Sequence, residues 1–176
     1  MLEAIKNRRS VRFYRSEPVS DSDIEEVIKA GFCAPNAHAA FPCHVVVIRD
    51  QAAKDKLSVI HRWSKIVARA PIVLAICVDR TKSERFWIED GAAFMENMLI
   101  QVSEMGLGAC WVGIRGLKSE DADAEESVRE VCNLPEHIGV ICLMILGHPA
   151  RYPGAHEPKL PVGRVHYESF SVTEEE

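Results

Sequence analysis

Apolar and polar positions along this chain fall into blocks that switch between a helical and an extended period. In residues 87–105, Ile88, Ala92, Met95, Leu99 and Val102 recur at steps of four and three, which makes one helical stripe. Phe94, Met98 and Met105 make a second stripe beside it, so the spacing predicts a helix covered on more than one side. Gly106 and Gly108 are expected to end it, because glycine adopts the left-handed, helix-ending conformation at little cost. The short apolar run 109–112, closed by Gly113, reads as a strand. A buried helix feeding a glycine-flanked strand can bring bare main chain up to a flat ligand. The plainer reading of the same residues is a core helix with an ordinary C-cap.

The other blocks follow the same logic. Residues 2–7 read as a short helix. Ser20 or Ser22 caps the next one, with Asp23 or Glu25 as capping-box partner, and Ile24, Val27, Ile28 and Phe32 are expected to face inward. Residues 34–43 are small and bracketed by Pro35 and Pro42. Helix is disfavoured before each proline, so an extended loop is expected there, leading into a buried strand at 44–48. A surface helix at 51–61 precedes 62–70, which carries Arg62, Lys65 and Arg69, and a second buried strand spans 72–78. Ser119 is read as the cap of an acidic helix, 119–132, ended by Asn133, Leu134 and Pro135; a last strand covers 140–146. Four strands separated by helices make a layered α/β or α+β domain. Residues 150–176, rich in proline and polar side chains, cannot form a core of their own.

Composition narrows the function. At 176 residues the chain supports one sizeable core, and a net charge of −5 argues against a nucleic-acid partner. No apolar run approaches the roughly 18 residues that span a membrane, and residues 1–10 lack the apolar core of a secretory signal. The chain reads as soluble and cytoplasmic. Six cysteines without a C-x-x-C pair indicate neither disulfides nor a zinc site; Cys77, Cys110 and Cys142 read as small buried hydrophobes.

Candidate chemistry is dispersed. Arg8, Arg9, Ser10 and Arg12 would form a compact anion site if the chain turns there, or else a solvated basic surface. Cys43 and His44 are adjacent in a strand and point to opposite faces, which disfavours a thiolate–imidazole pair. His38 reads as a surface histidine, with proton donation as the sharper alternative. Glu89 and Asp90 suit the positive end of the helix dipole. Trp63 and Trp87 read as packing aromatics that could border a site. Neither a G-x-G-x-x-G nor a Walker A sequence occurs.

Taken in order, RRSVRFY (8–14), APNAHAAFPCHVVVI (34–48), WIEDGAAFMENMLIQ running into GLGACWVG (87–113), and LGHP (146–149) resemble the nitroreductase family of FMN-dependent oxidoreductases. The resemblance covers essentially the whole chain. It implies one α+β domain, 1–176, as a three-layer α-β-α arrangement with a mixed, mainly antiparallel sheet. It further implies a homodimer with FMN sites at the interface, and a 150–176 extension that wraps the partner.

Carried over by position, Arg8, Arg9 and Ser10 would hold the FMN phosphate and ribityl end. Arg12 would stabilise negative charge near the N1–C2=O edge of the ring. Lys159, and more weakly Arg164, would be further phosphate cations. Pro35, Asn36 and Ala37 of one subunit would pack on the ring held by the other. The backbone of Trp111, Val112 and Gly113 would face its N5 side, with no side chain assigned as catalytic. Phe41, Cys43, Ala39 and Glu157 depart from the residues common in the family, which bears on acceptor preference and on the phosphate site. The implied activity is transfer of reducing equivalents from NADH or NADPH to nitroaromatic, quinone or flavin acceptors in a two-step cycle. Alternatives on the same fold are an oxygen-dependent or dehalogenating flavin enzyme and a non-enzymatic flavin-storage dimer.

Overall fold

Residues Ile72–Asp79 (β2) are buried along their whole length, and so are Ile138–Gly147 (β4). Both lie at the centre of a four-stranded sheet. The structure, a computed structural model, describes residues 1–119 and 122–170. Cys43–Ile48 (β1) flanks β2, and Gly108–Gly113 (β3) flanks β4, giving the order β1-β2-β4-β3. All three pairings are antiparallel; the parallel component expected of a mixed sheet is the isolated bridge between Ser10 and Ala109.

Side chains alternate across β2 and sort into two cores. Leu74, Ile76 and Val78 face one layer, where Asp21–Phe32 (α2) and Trp87–Glu104 (α4) pack, with Glu3–Asn7 (α1) against α4. Val73, Ala75 and Cys77 face the other layer, built from Gln51–Leu57 (α3), a 3-10 turn at Ser64–Arg69, and Ala124–Cys132 (α5). The result is an α-β-α arrangement.

Several local expectations are corrected. The strand at 44–48 is an edge strand, so Val45–Val47 are half-buried and His44 is exposed. Phe32 is 44% exposed and meets Phe94 edge-on at the rim of the α2–α4 contact. Ile88 and Ala92 are only partly buried; the covered face of α4 runs through Phe94, Met95, Met98, Leu99 and Val102. The cap of α5 is Asp123, whose carboxylate accepts the Glu125 N–H, while Ser119 closes a turn with Ala122. Residues 120 and 121 of the expected acidic helix, and 171–176 of the tail, lie outside the described residues.

Two of the closely packed glycines set the framework around β3 and α4. Gly106 ends α4 with φ +69, but Gly108 belongs to β3, where a Cβ would meet Val11 Cγ1 at 2.7 Å. That contact lets the N-terminal segment lie along β3, held by the Val11 N–H to the Ala109 carbonyl (2.8 Å). Gly91 sits inside α4, where glycine costs about 1 kcal/mol relative to alanine. It is needed because the β2–β4 register shifts at Ile76/Cys77, leaving Ile141 as an extra residue aimed at the helix. A Cβ at Gly91 would come within 2.4 Å of Ile141 Cγ1.

Candidate active site

Among the described residues no strand pairs with the outer edge of β3 beyond its contact with the N-terminal segment, and the Trp111 carbonyl accepts the Cys110 thiol at 3.5 Å. Because the Ala109 carbonyl points away from β4 to Val11, alternation along an antiparallel strand puts the N–H and C=O of Trp111 and Gly113 on that same outer side. A cavity of about 560 Å³ opens along it, lined by Arg12, Lys65, Cys110, Trp111, Val112 and Gly113, with His61, Trp63 and Leu117 among the other walls. A Cβ built on Gly113 meets only Leu117 Cδ1, at 3.8 Å. Any larger residue would therefore project into space that the fold leaves open.

The segment 58–69 forms the far wall. The buried Ser64 hydroxyl lies 2.7 Å from the His61 carbonyl and 2.9 Å from that of Ser58, and it accepts the His61 N–H at 3.2 Å. His61 is 4% exposed. Its Nδ1 accepts the Trp63 N–H at 3.2 Å, so in the neutral ring the proton sits on Nε2, a buried atom without a hydrogen-bond partner. Burial lowers the His61 pKa, and the nearby Gly113 backbone offsets this in part. Arg62 stacks on Trp63 with its guanidinium carbon 3.8 Å from the ring centroid.

The structure distributes the sequence candidates unevenly. Arg12, Trp111, Val112 and Gly113 share the cavity. Arg8 faces Glu96 of α4 at 3.8 Å. Arg9 donates to the Gly154 and Pro153 carbonyls (2.6 and 3.4 Å), tying the tail to the start of the chain. Ser10 forms the bridge to Ala109. Lys159 is exposed and faces Glu157 at 3.4 Å, and Arg164 lies in the same exposed tail. Pro35 and Asn36 line a small separate cavity with Phe41, Cys43 and Asp90, which shares no residue with the first.

The 34–43 loop is not simply extended. Residues Ala37–Ala39 make a 3-10 turn, and His38, Ala39 and Phe41 have φ of 55, 53 and 46. Two bonds hold this costly conformation. Asp90 accepts the Ala37 N–H at 2.8 Å, and Asn36 Oδ1 accepts the Phe41 N–H at 2.9 Å. Asp90 is buried and also accepts from the Ser83 hydroxyl at 2.5 Å, so it clamps the loop rather than merely serving the helix dipole. Burial, aided by Asp90, pushes the Cys43 thiol up to about 12, and His44 is exposed on the opposite face; no thiolate–imidazole pair exists.

His61, Arg62 and Lys65 are the wall residues that sequence reasoning did not assign. The available signal was a run of cations beside Trp63, but nothing local linked it to β3, some fifty residues later. Among the described residues no helix is long and apolar enough to cross a membrane, and no cluster of three or more His, Cys, Asp or Glu could hold a metal.

The edge strand β3 of this α+β domain thus runs beside a cavity that Arg12, Arg62 and Lys65 line. The chain belongs to the nitroreductase family: the model of that family matches residues 5–63 and 60–148. It is 33% identical over 172 residues to a provisionally named NADH dehydrogenase/NAD(P)H nitroreductase of Methanothermobacter thermautotrophicus, covering 97% of this chain and 87% of that one. Among solved structures it is similar to an FMN-dependent nitroreductase of Clostridium difficile (TM-score 0.91, 26% identity, covering 97% and 100% of the two chains). It is also similar to a provisionally named nitroreductase of Desulfovibrio desulfuricans in complex with FMN (TM-score 0.77, 26% identity, 95% of each chain).

Proposed function

We propose that the protein is an FMN-dependent oxidoreductase that passes reducing equivalents from NADH or NADPH to a nitroaromatic, quinone or flavin acceptor in two successive half-reactions. The observation that carries this reading is the convergence of Arg12, Lys65 and the outer-edge backbone of Trp111 and Gly113 on one cavity of about 560 Å³. The residues fit a flavin ring: fixed cations for a ring that gains negative charge, main-chain groups at its edge, and no side chain at Gly113 to obstruct it. When bound, FMN supplies the hydride chemistry. The protein's own work is to orient the ring against β3, to hold positive charge beside it, and to leave one face open for donor and acceptor in turn.

Arg8, Arg9 and Ser10, with Lys159 and Arg164, are proposed to hold the phosphate end; Arg8 and Arg9 would exchange their present contacts for it. Pro35, Asn36 and Ala37 are proposed to complete the site from the second subunit of a homodimer. Their separation from the cavity within one chain supports that assignment, as do the exposed Leu160, Val162, Tyr167 and Phe170 of a tail suited to lie on a partner. The test is a visible absorption spectrum of purified protein after FMN loading and removal of excess, before and after anaerobic NADH or NADPH. A retained flavin spectrum that bleaches is the expected result. Absence of retained flavin refutes the reading.

A further inference from the structure

Beside the cavity along β3 lies a second one of about 480 Å³, and the two share His61, Arg62, Trp63 and Lys65 as walls. Its remaining walls include Lys118 and Ser119. Of its walls, the proposed seating of FMN uses Lys65 alone. We infer that it is a subsite for an anionic group carried by the electron donor or acceptor, with Lys118 and Arg62 as its cations; this rests on the flavin reading of the adjoining cavity.

The charge distribution carries the inference. The chain has 26 acidic residues against 21 basic ones, yet no carboxylate is among the described residues that line either cavity. Arg12, Arg62, Lys65 and Lys118 all face this connected space, and none forms an ion pair with a described residue. Such unpaired cations at a concave surface focus the field and raise the local concentration of anions. The site is also built. Arg62 stacks on the Trp63 ring, and the Trp63 backbone N–H donates to His61 Nδ1. His61, itself 4% exposed, is a wall residue of both spaces. A planar guanidinium and an ammonium group lining one cavity suit a carboxylate or phosphate better than a neutral polar group.

Two sources can supply the anion: a carboxylate on an aromatic acceptor, or the 2′-phosphate that distinguishes NADPH from NADH. The experiment measures kcat/KM of the FMN-loaded protein for 4-nitrobenzoate against 4-nitrobenzyl alcohol, and for NADPH against NADH. Wild type is compared with Lys118→Glu, Lys118→Arg and Arg62→Gln. In Lys118→Glu the more negatively charged member of one pair falls about tenfold through KM while its counterpart stays within twofold; Lys118→Arg restores the preference, and Arg62→Gln also weakens it. Loss confined to 4-nitrobenzoate assigns the anion to the acceptor, and loss confined to NADPH assigns it to the donor. Equal changes within both pairs, or none, overturn the subsite. Calorimetric titration of 4-nitrobenzoate into wild type and Lys118→Glu reads the subsite without turnover. A protein that binds 4-nitrobenzoate in a Lys118-dependent way but retains no flavin defeats the flavin reading alone; equal affinities in the two proteins, together with no loss selective for NADPH, defeat the subsite alone.

Discussion

The Ala37 N–H donates to Asp90 Oδ1 at 2.8 Å, which ties a strained loop to the first turn of α4. Asp90 also accepts from Ser83, so replacing it by alanine strands two donors. Charge-assisted bonds of this kind contribute about 1.5–3 kcal/mol, and Asp90→Ala is expected to lower Tm by about 4–10 °C. Asp90→Asn keeps one acceptor oxygen and should lose about half as much. Thermal unfolding of both variants checks this. If the loop serves the partner's ring, FMN retention falls in the same order.

Gly91→Ala should destabilise the protein although alanine is the better helix former. The propensity gain is about 1 kcal/mol, but the new methyl meets Ile141 Cγ1 at 2.4 Å and Val78 Cγ2 at 2.9 Å. Overpacking of that kind costs about 1–3 kcal/mol. The check is a double-mutant cycle by denaturant unfolding. Adding Ile141→Ala should cost less in the Gly91→Ala background than in wild type, by about 1 kcal/mol or more.

Gly113→Val separates folding from binding. The position is an ordinary strand residue with open space beside it, so valine should leave Tm within about 2 °C. The same side chain would stand in the cavity, and FMN retention should fall at least tenfold. Equilibrium flavin binding, read by fluorescence quenching, and a parallel melting curve together decide the matter. Undiminished binding would remove Gly113 from the site.

His61 gives a pH signature. Burial holds its folded-state pKa below the value in the unfolded chain, about 6.5. The unfolded state therefore binds more protons once the pH drops below that value. Stability is full above it and is lost as the pH falls toward the folded-state pKa. Tm should decline from pH 7 to pH 5 more steeply in wild type than in His61→Gln, which preserves an acceptor for the Trp63 N–H but does not titrate. Parallel curves would show that His61 does not carry this dependence.

What the sequence made legible was whatever its local pattern determines. The stripes of α4, the Ser20 cap of α2 and the central strands follow from periodicity and turn chemistry over a few residues. The order of the strands does not, which is why the run 44–48 looked buried although β1 is at an edge. Gly108 looked like a helix stop because its reason lies at Val11, nearly a hundred positions away. The site divides the same way. Arg12 and Gly113 stood in recognisable motifs, whereas His61, Arg62 and Lys65 gain meaning only once the fold sets their segment opposite β3. Asp90 had a sufficient local explanation at a helix start, and that hid its tertiary role as a clamp.

Arg9 holds the tail through the carbonyls of Pro153 and Gly154, atoms that every residue possesses. At position 153 any residue offers the same carbonyl, whereas Gly154, at φ +85, is held to glycine by its backbone. The His156 N–H makes a second attachment, to the Lys6 carbonyl at 2.9 Å, so the extension leaves the domain as a strap moored twice to the N-terminal segment through main-chain carbonyls.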